Sequence, residues 1–237
     1  MEQIKKAIPN LFTLGNLSCG VIGIILSFQG EITTACYLIW LAAGFDFLDG
    51  FLARILKAQS EIGKQLDSLA DLITFGLLPA MLYYHMLLGK VASPLEYVGV
   101  LIACFSALRL AKFNIDENQT TTFTGLTTTA NGIYTSTLPL ILLTDNFLTP
   151  IFDNPWVIIA SAMIFSLLMV APITLLSFKF SNFNLKDNWA RFLLIIISIV
   201  SLVIWQVSAV PIIIVIYLVL SLLSISSNKK TKEKSLS

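Results

Sequence analysis

Eight apolar runs, each close to the length a helix needs to cross a bilayer, follow one another along this chain and leave little sequence from which to build a water-soluble surface. A spanning helix takes about 20 mostly apolar residues. The runs lie near Phe12–Phe28, Thr33–Ile55, Leu66–Leu88, Tyr97–Phe113, Asn131–Leu148, Trp156–Leu176, Phe192–Val207 and Val210–Ser226. Turn signals separate most of them: Gln29-Gly30, Gly89-Lys90, Pro150, Asn154-Pro155 and Pro211. Thr120–Thr129 is polar and Thr-rich and reads as a connecting loop. Charged residues make up only 12% of the 237, against 56% hydrophobic, and a soluble domain carries about twice that charge. The expected fold is therefore an all-α membrane protein, a bundle of about eight transmembrane helices in a single integral-membrane domain spanning residues 1–237.

The basic residues give this map a direction. With eight spans both termini share a side. That side then holds Lys5, Lys6, Arg54, Lys57, Lys64, Arg109, Lys112, Lys179, Lys186, Arg191, Lys229, Lys230, Lys232 and Lys234, leaving only Lys90 opposite. Basic loops stay in the cytoplasm, so both termini are expected there, in a bacterial-type inner membrane. Lys5 and Lys6 precede an apolar run with no small-residue cleavage pattern, so the first run reads as a retained helix. The tail Asn228–Ser237 reads as a solvated charged end. A net charge of +1 gives no basic excess for nucleic acid. Cys19, Cys36 and Cys104 sit in apolar runs without paired spacing and read as small hydrophobes.

Charges inside spans are costly and mark function by default. Four aspartates occupy two consecutive spans: Asp46 and Asp49, three apart, and Asp67 and Asp71, four apart. On a helix each pair shares a face. The connection near Ala58–Ile62 is short, so the two helices are antiparallel neighbours. Counting outward from it at about 1.5 Å per residue puts both pairs at similar depth. Four carboxylates cannot share a low-dielectric site unaided: some are protonated or cations are bound. Two divalent ions would balance the charge, and all-oxygen ligation suits Mg²⁺ or Mn²⁺. Such a pair serves phosphoryl chemistry. A carboxylate-based membrane transporter is the rival class. Gly50 and Ala53 leave room for a bulky ligand, Gly63 allows close backbone approach, and Arg54 offers a fork for phosphate.

The string Asp46-x2-Asp49-Gly50-x2-Ala53-Arg54-x8-Gly63-x3-Asp67-x3-Asp71 resembles the complete signature of the CDP-alcohol phosphotransferases. Within that family, Ile8–Gly20, Gly63–Pro79 and Leu108–Asn114 are most similar to the integral-membrane CDP-diacylglycerol–serine O-phosphatidyltransferases. The resemblance covers roughly the first 135 residues. It implies a catalytic core of six helices, here 1–180, with 181–227 as two additional helices and 228–237 as the tail, often in a homodimer. It implies attack of an alcohol on the lipid-side phosphate of CDP-diacylglycerol, with CMP leaving. By position, Asp46 and Asp67 would bridge two metals, Asp49 would bind one and Asp71 the other. Asp71 would also take the proton from the acceptor hydroxyl. Gly50, Ala53, Arg54 and Ser60 would contact the CDP moiety, with Asn10 and Thr13 closing over the nucleotide and Gly63 and Lys64 beside the phosphates.

The implied acceptor is L-serine, with glycerol 3-phosphate or inositol phosphate as alternatives that keep the chemistry. Arg109, Lys112 and Asn114 are the candidates for the serine carboxylate or donor phosphate, though anchoring at the interface explains the two cations equally well. Three positions depart from the pattern: Lys112 stands where Arg is usual, Thr127 where Pro is expected after Gly125-Leu126, and Thr74 where Ser is common. His85, the single histidine, lies with Tyr83 and Tyr84 at the far end of its span and reads as an interfacial anchor, as do Tyr97, Trp156 and Trp205.

Overall fold

The structure, a computed structural model, describes residues 2–115, 123–144, 146–175 and 185–221. Lys179, the Asn228–Ser237 tail with its four lysines, residues 120–122 of the polar stretch and the last residues of the eighth run lie outside the described residues.

Among the described residues the chain is helical almost throughout. Helix α1 runs Glu2–Phe28, α2 Ile32–Ile55 and α3 Glu61–Asp71. A π-helical turn, Leu72–Leu77, joins α3 to α4, Leu78–Leu87, so that 61–87 is one unbroken rod. A 3₁₀ turn, Leu95–Gly99, opens onto α5, Val100–Ile115. Then come α6, Thr128–Leu143, a short α7, Thr149–Phe152, and α8, Pro155–Val170. Finally α9, Leu185–Trp205, passes through a 3₁₀ turn into a helical stretch at 209–221. Apart from α7 these form eight rods, one for each apolar run of the sequence. Five segments are long and apolar enough to cross a membrane: Lys5–Phe28, Ile32–Ile55, Glu61–Leu87, Leu95–Ile115 and Arg191–Ser221. The last contains the break at Gln206, whose left-handed backbone (φ 49°) interrupts the helix.

The helix ends follow local chemistry. Ser60 caps α3, its hydroxyl accepting from the Gly63 amide at 3.0 Å. The third rod therefore begins at Glu61 rather than Leu66, and Gly63 and Lys64 sit in its first turn instead of in a loop. Thr127 caps α6 by accepting from Ala130 N at 3.2 Å, so Thr128 and Thr129 are helical rather than loop. Helix α6 ends at Leu143, short of Leu148, because Asn146 and Thr149 bind its free carbonyls: Thr149 Oγ1 donates to Ile141 O at 3.1 Å. Helix α8 ends at Val170, short of Leu176, because Pro172 cannot continue it. At 16 residues each, α6 and α8 are about 24 Å long.

The chain divides into two compact units, Met1–Asp116 with Thr127–Val170, and Glu117–Leu126 with Ala171–Ser237. The second unit contains α9, the 209–221 stretch and a two-residue antiparallel ribbon, β1 Phe123–Thr124 with β2 Thr174–Leu175. The first unit holds α1 to α8. Its interior mixes apolar side chains (Ile39, Phe75, Leu78, Leu82, Ile102, Leu138, Ile158) with polar ones as fully buried, among them Asn16, Thr74, Ser106, Asn131 and Thr135. Its outward faces are apolar, with Leu11, Phe28, Phe47 and Leu69 more than half exposed. That inversion is what a lipid-facing bundle requires: hydroxyls and amides glue helices together inside and hydrocarbon faces hydrocarbon outside. Trp40 on α2 donates to Ser136 on α6 at 2.8 Å, and Tyr83 and Ser161 join α4 to α8 at 3.1 Å.

Small residues set the closest approaches. A Cβ on Gly99 would stand 2.6 Å from the Ala80 carbonyl oxygen and 2.7 Å from Tyr83 Cβ. Backbone cannot yield as a flexible side chain does, so Gly99→Ala is expected to cost about 1–3 kcal/mol of stability. Thermal unfolding in detergent checks this, and an unchanged melting temperature contradicts the packing described.

Candidate active site

The sequence brings the four aspartates to neighbouring helices, and the structure brings three of them to one point. One carboxylate oxygen from each of Asp46, Asp49 and Asp67 lies within 4.8 Å of the others. Asp71 is outside that tight set, one turn further along α3, and is 7% exposed. Partners from other helices hold three of the four in place. Thr13 Oγ1 on α1 donates to Asp49 Oδ2 at 2.8 Å. Thr129 Oγ1 at the start of α6 donates to Asp46 Oδ2 at 3.2 Å. Asn16 Nδ2 on α1 donates to Asp71 Oδ1 at 3.0 Å. Such bonds fix a carboxylate's rotamer and leave its second oxygen free for a ligand. Asp67 differs, since its Oδ1 is buried with no hydrogen-bond partner. A buried carboxylate oxygen without a donor, beside two more carboxylates, fits a cation. The all-oxygen donor set suits a hard divalent metal.

A cleft of about 540 Å³ opens beside this cluster, within the size range of small-molecule sites. Its lining draws on α1 (Pro9, Asn10, Thr13), α2 (Asp49, Gly50, Ala53) and the α2–α3 connection with the first turns of α3 (Ala58 through Glu61, Gly63, Lys64, Asp67), together with Phe113 of α5. The α1–α3 contact is close: a Cβ on Gly63 would lie 3.0 Å from Ser60 Oγ and 3.1 Å from Asn10 Oδ1. Gly50 is the opposite case, for a Cβ there would meet nothing nearer than Arg54 Nη2 at 4.0 Å, and it faces the cleft.

A model of the CDP-alcohol phosphatidyltransferases matches residues 6–173. The chain belongs to this family. Among its relatives, a CDP-diacylglycerol–serine O-phosphatidyltransferase of Bacillus subtilis is 40% identical over 123 residues, which cover 50% of this chain and 67% of the relative. An archaetidylserine synthase of Methanothermobacter thermautotrophicus is 40% identical over 127 residues, 51% of this chain and 52% of the relative. A CDP-diacylglycerol–serine O-phosphatidyltransferase of Helicobacter pylori is 32% identical over 184 residues, 75% of each chain.

In this CDP-alcohol phosphatidyltransferase the candidate residues sort into groups by position. Asn10, Thr13, Gly50, Ala53, Ser60, Gly63 and Lys64 line the cleft with Asp49 and Asp67. Arg54 does not line it; its guanidinium is exposed and its Nε folds back to donate to Gly50 O at 2.9 Å. Lys64 Nζ donates to the Asn114 carbonyl at 2.8 Å. The Asn114 side chain bonds Ser68 and Gln65, which clasps the end of α5 to the first turns of α3. Arg109 lies on the inward side of α5, close enough to Asp71 for the two charges to attract, with its Nε buried and unpartnered. Lys112, one turn further along that helix, is exposed. His85 packs edge-on against Phe28 at 5.5 Å, and Tyr84 stacks on Tyr97 at 5.7 Å, far along the rod from Asp67.

Two of the three departures from the family pattern have a local explanation. Thr127, standing where Pro is expected, caps α6, and Thr74 Oγ1 donates to Asn16 O at 3.0 Å, as a serine hydroxyl would. The sequence did not single out Asn16, Gln59, Glu61 or Phe113. The helical spacing of Thr13 and Asn16 was the available sign that Asn16 faces the same neighbours. Gly50→Leu should push a side chain into the open cleft and raise the KM for a nucleotide-linked donor about tenfold or more, a loss of about 1.4 kcal/mol in binding. The melting temperature should hold. An unaltered donor KM would place the donor elsewhere.

Proposed function

We propose that this enzyme transfers the phosphatidyl group from CDP-diacylglycerol to the hydroxyl of L-serine, giving phosphatidylserine and CMP. The convergence of Asp46, Asp49 and Asp67, the last two lining a cleft, with Asp71 held beside them by Asn16, carries this reading. The donor's acyl chains stay in the bilayer while its CDP head occupies the cleft, against Asn10, Thr13, Gly50, Ala53, Ser60, Gly63 and Lys64. Two divalent cations, Mg²⁺ or Mn²⁺, held by the four aspartates would offset charge on the pyrophosphate and on departing CMP. Asp71 accepts the serine proton, since that hydroxyl does not ionise unaided. The serine oxygen bonds the lipid-side phosphorus as the bond to the CMP oxygen breaks.

Two observations favour serine over a phosphorylated acceptor. Of the four cations near the site, Arg54 is exposed and bonds Gly50 O, Lys64 is tied to Asn114 O and Lys112 is exposed, which leaves the half-buried Arg109 for the acceptor. One guanidinium suits a carboxylate, whereas a phosphate calls for a basic cluster. The relatives, bacterial and archaeal, share serine in their names while naming different lipids. Residues 1–180 would form the catalytic core, in a homodimer, with the site and both termini cytoplasmic, as the basic residues suggest.

The test is purified protein with CDP-diacylglycerol, Mg²⁺ or Mn²⁺, and serine, glycerol 3-phosphate or inositol phosphate in separate reactions, with the lipid product weighed by mass spectrometry. Phosphatidylserine formed only with serine is expected. A different lipid product would keep the aspartate site and overturn the acceptor, and folded protein releasing no CMP with any acceptor would point to transport.

A further inference from the structure

We infer that Asn16 binds the acceptor's ammonium group through Oδ1 while its Nδ2 positions Asp71, so that one amide both orients the base and selects an amino alcohol. The inference rests on the serine reading above. Asn16 is fully buried on α1. A carboxylate only accepts, so the Asn16 nitrogen must be the atom facing Asp71 Oδ1, at 3.0 Å, and the amide oxygen must point elsewhere. That oxygen is buried and has no hydrogen-bond partner. Buried carbonyl oxygens are almost always satisfied, so this one marks where a donor belongs.

Asn16 is held through its side chain by Asp71 and through its backbone by Thr74. Thr74 Oγ1, in the π turn just after Asp71, donates to the Asn16 backbone carbonyl at 3.0 Å. One turn along α1, Gly20 lets that same threonine approach so closely that a Cβ there would collide with its hydroxyl. Helix α1 and the π turn are therefore held in register, and the bond from Nδ2 to Asp71 sets which way the amide oxygen points.

The chemistry around it selects the ligand. Asp71 takes a hydroxyl proton, and Arg109 is within electrostatic reach of Asp71 with an unpartnered Nε. Serine carries its ammonium on the carbon next to the hydroxymethyl group. With the hydroxyl at Asp71, the ammonium falls within an amide's width of it, where Asn16 Oδ1 stands, and the carboxylate can turn toward Arg109. A diol or sugar could offer the Asn16 oxygen a neighbouring hydroxyl, but a neutral donor bonds it more weakly than an ammonium does.

Steady-state kinetics with serine and CDP-diacylglycerol tests this on two variants of the full chain. Asn16→Ala should raise the serine KM about tenfold or more and lower kcat, with the CDP-diacylglycerol KM within about twofold of wild type. Asn16→Asp keeps an acceptor oxygen and loses the donor to Asp71, so kcat should fall while the serine KM stays within about threefold. An Asn16→Ala enzyme with an unaltered serine KM overturns the inference, as does one whose two KM values rise together. If Asn16→Ala does not fold, Asn16→Asp decides: a serine KM raised tenfold refutes the ammonium contact. Wild-type protein that releases CMP with a different acceptor and not with serine would sink the serine reading itself, an outcome separable from the others because it precedes any substitution.

Discussion

Asp71→Asn should lower turnover about 10²- to 10⁴-fold, the range a positioned general base supplies, while the protein still folds and still binds CDP-diacylglycerol. Asn matches Asp in shape, and its amide oxygen can accept the Asn16 Nδ2 bond that Asp71 Oδ1 accepts at 3.0 Å. Packing around the buried side chain should therefore survive. What is lost is a group able to take a proton from the acceptor hydroxyl. Asp46, Asp49 and Asp67, the tight trio, are untouched by this change, so the residues that would hold a divalent ion against the donor's pyrophosphate mostly remain. CMP release measures the loss, and donor binding with thermal unfolding measures what remains. Wild-type turnover in Asp71→Asn would remove Asp71 from the role of base.

Chelation should have an effect as large. Three carboxylate oxygens within 4.8 Å repel one another, and Asp67 Oδ1 has no donor to share its charge. Stripping divalent ions should abolish CMP release, and restoring Mg²⁺ or Mn²⁺ should return it. Stability gives a readout independent of turnover. A ligand that binds only the folded state at 100 times its Kd adds about 2.7 kcal/mol, so the melting temperature should rise when Mg²⁺ or Mn²⁺ is added. Asp67→Ala should cancel that rise and leave the metal-free protein no less stable, because it removes one of three like charges. A metal-induced shift that persists in Asp67→Ala would mean the cations bind elsewhere.

The spacing of Asp46, Asp49, Asp67 and Asp71 made the heart of the site legible, because a helix places residues three and four apart on one face and a short connection sets two helices side by side. The bundle was equally legible, since apolar length alone dictates it. What the sequence hid depends on contacts between distant segments. Thr129 reaches Asp46 across 83 residues and Asn16 reaches Asp71 across 55, and nothing local to either residue announces the partner. The π turn after Asp71 is a matter of packing: Gly20 and Thr74 meet on one side of it, and Gly76 lies against Ser106 on another. Lys64 looked free for phosphate in a loop, but Ser60 starts the helix early enough to hand its ammonium to the Asn114 carbonyl. The early ends of α6 and α8 came from polar caps and a proline inside runs that hydropathy alone had carried further.

Serine labelled with ¹⁸O in its hydroxyl tests the proposed reaction most directly, with the purified enzyme, CDP-diacylglycerol and Mn²⁺ or Mg²⁺. Attack on the lipid-side phosphorus predicts that all the label enters phosphatidylserine and that the released CMP carries none. Label joined to CMP, with phosphatidic acid as the lipid product, would show attack on the nucleotide-side phosphorus and contradict the assignment of the site.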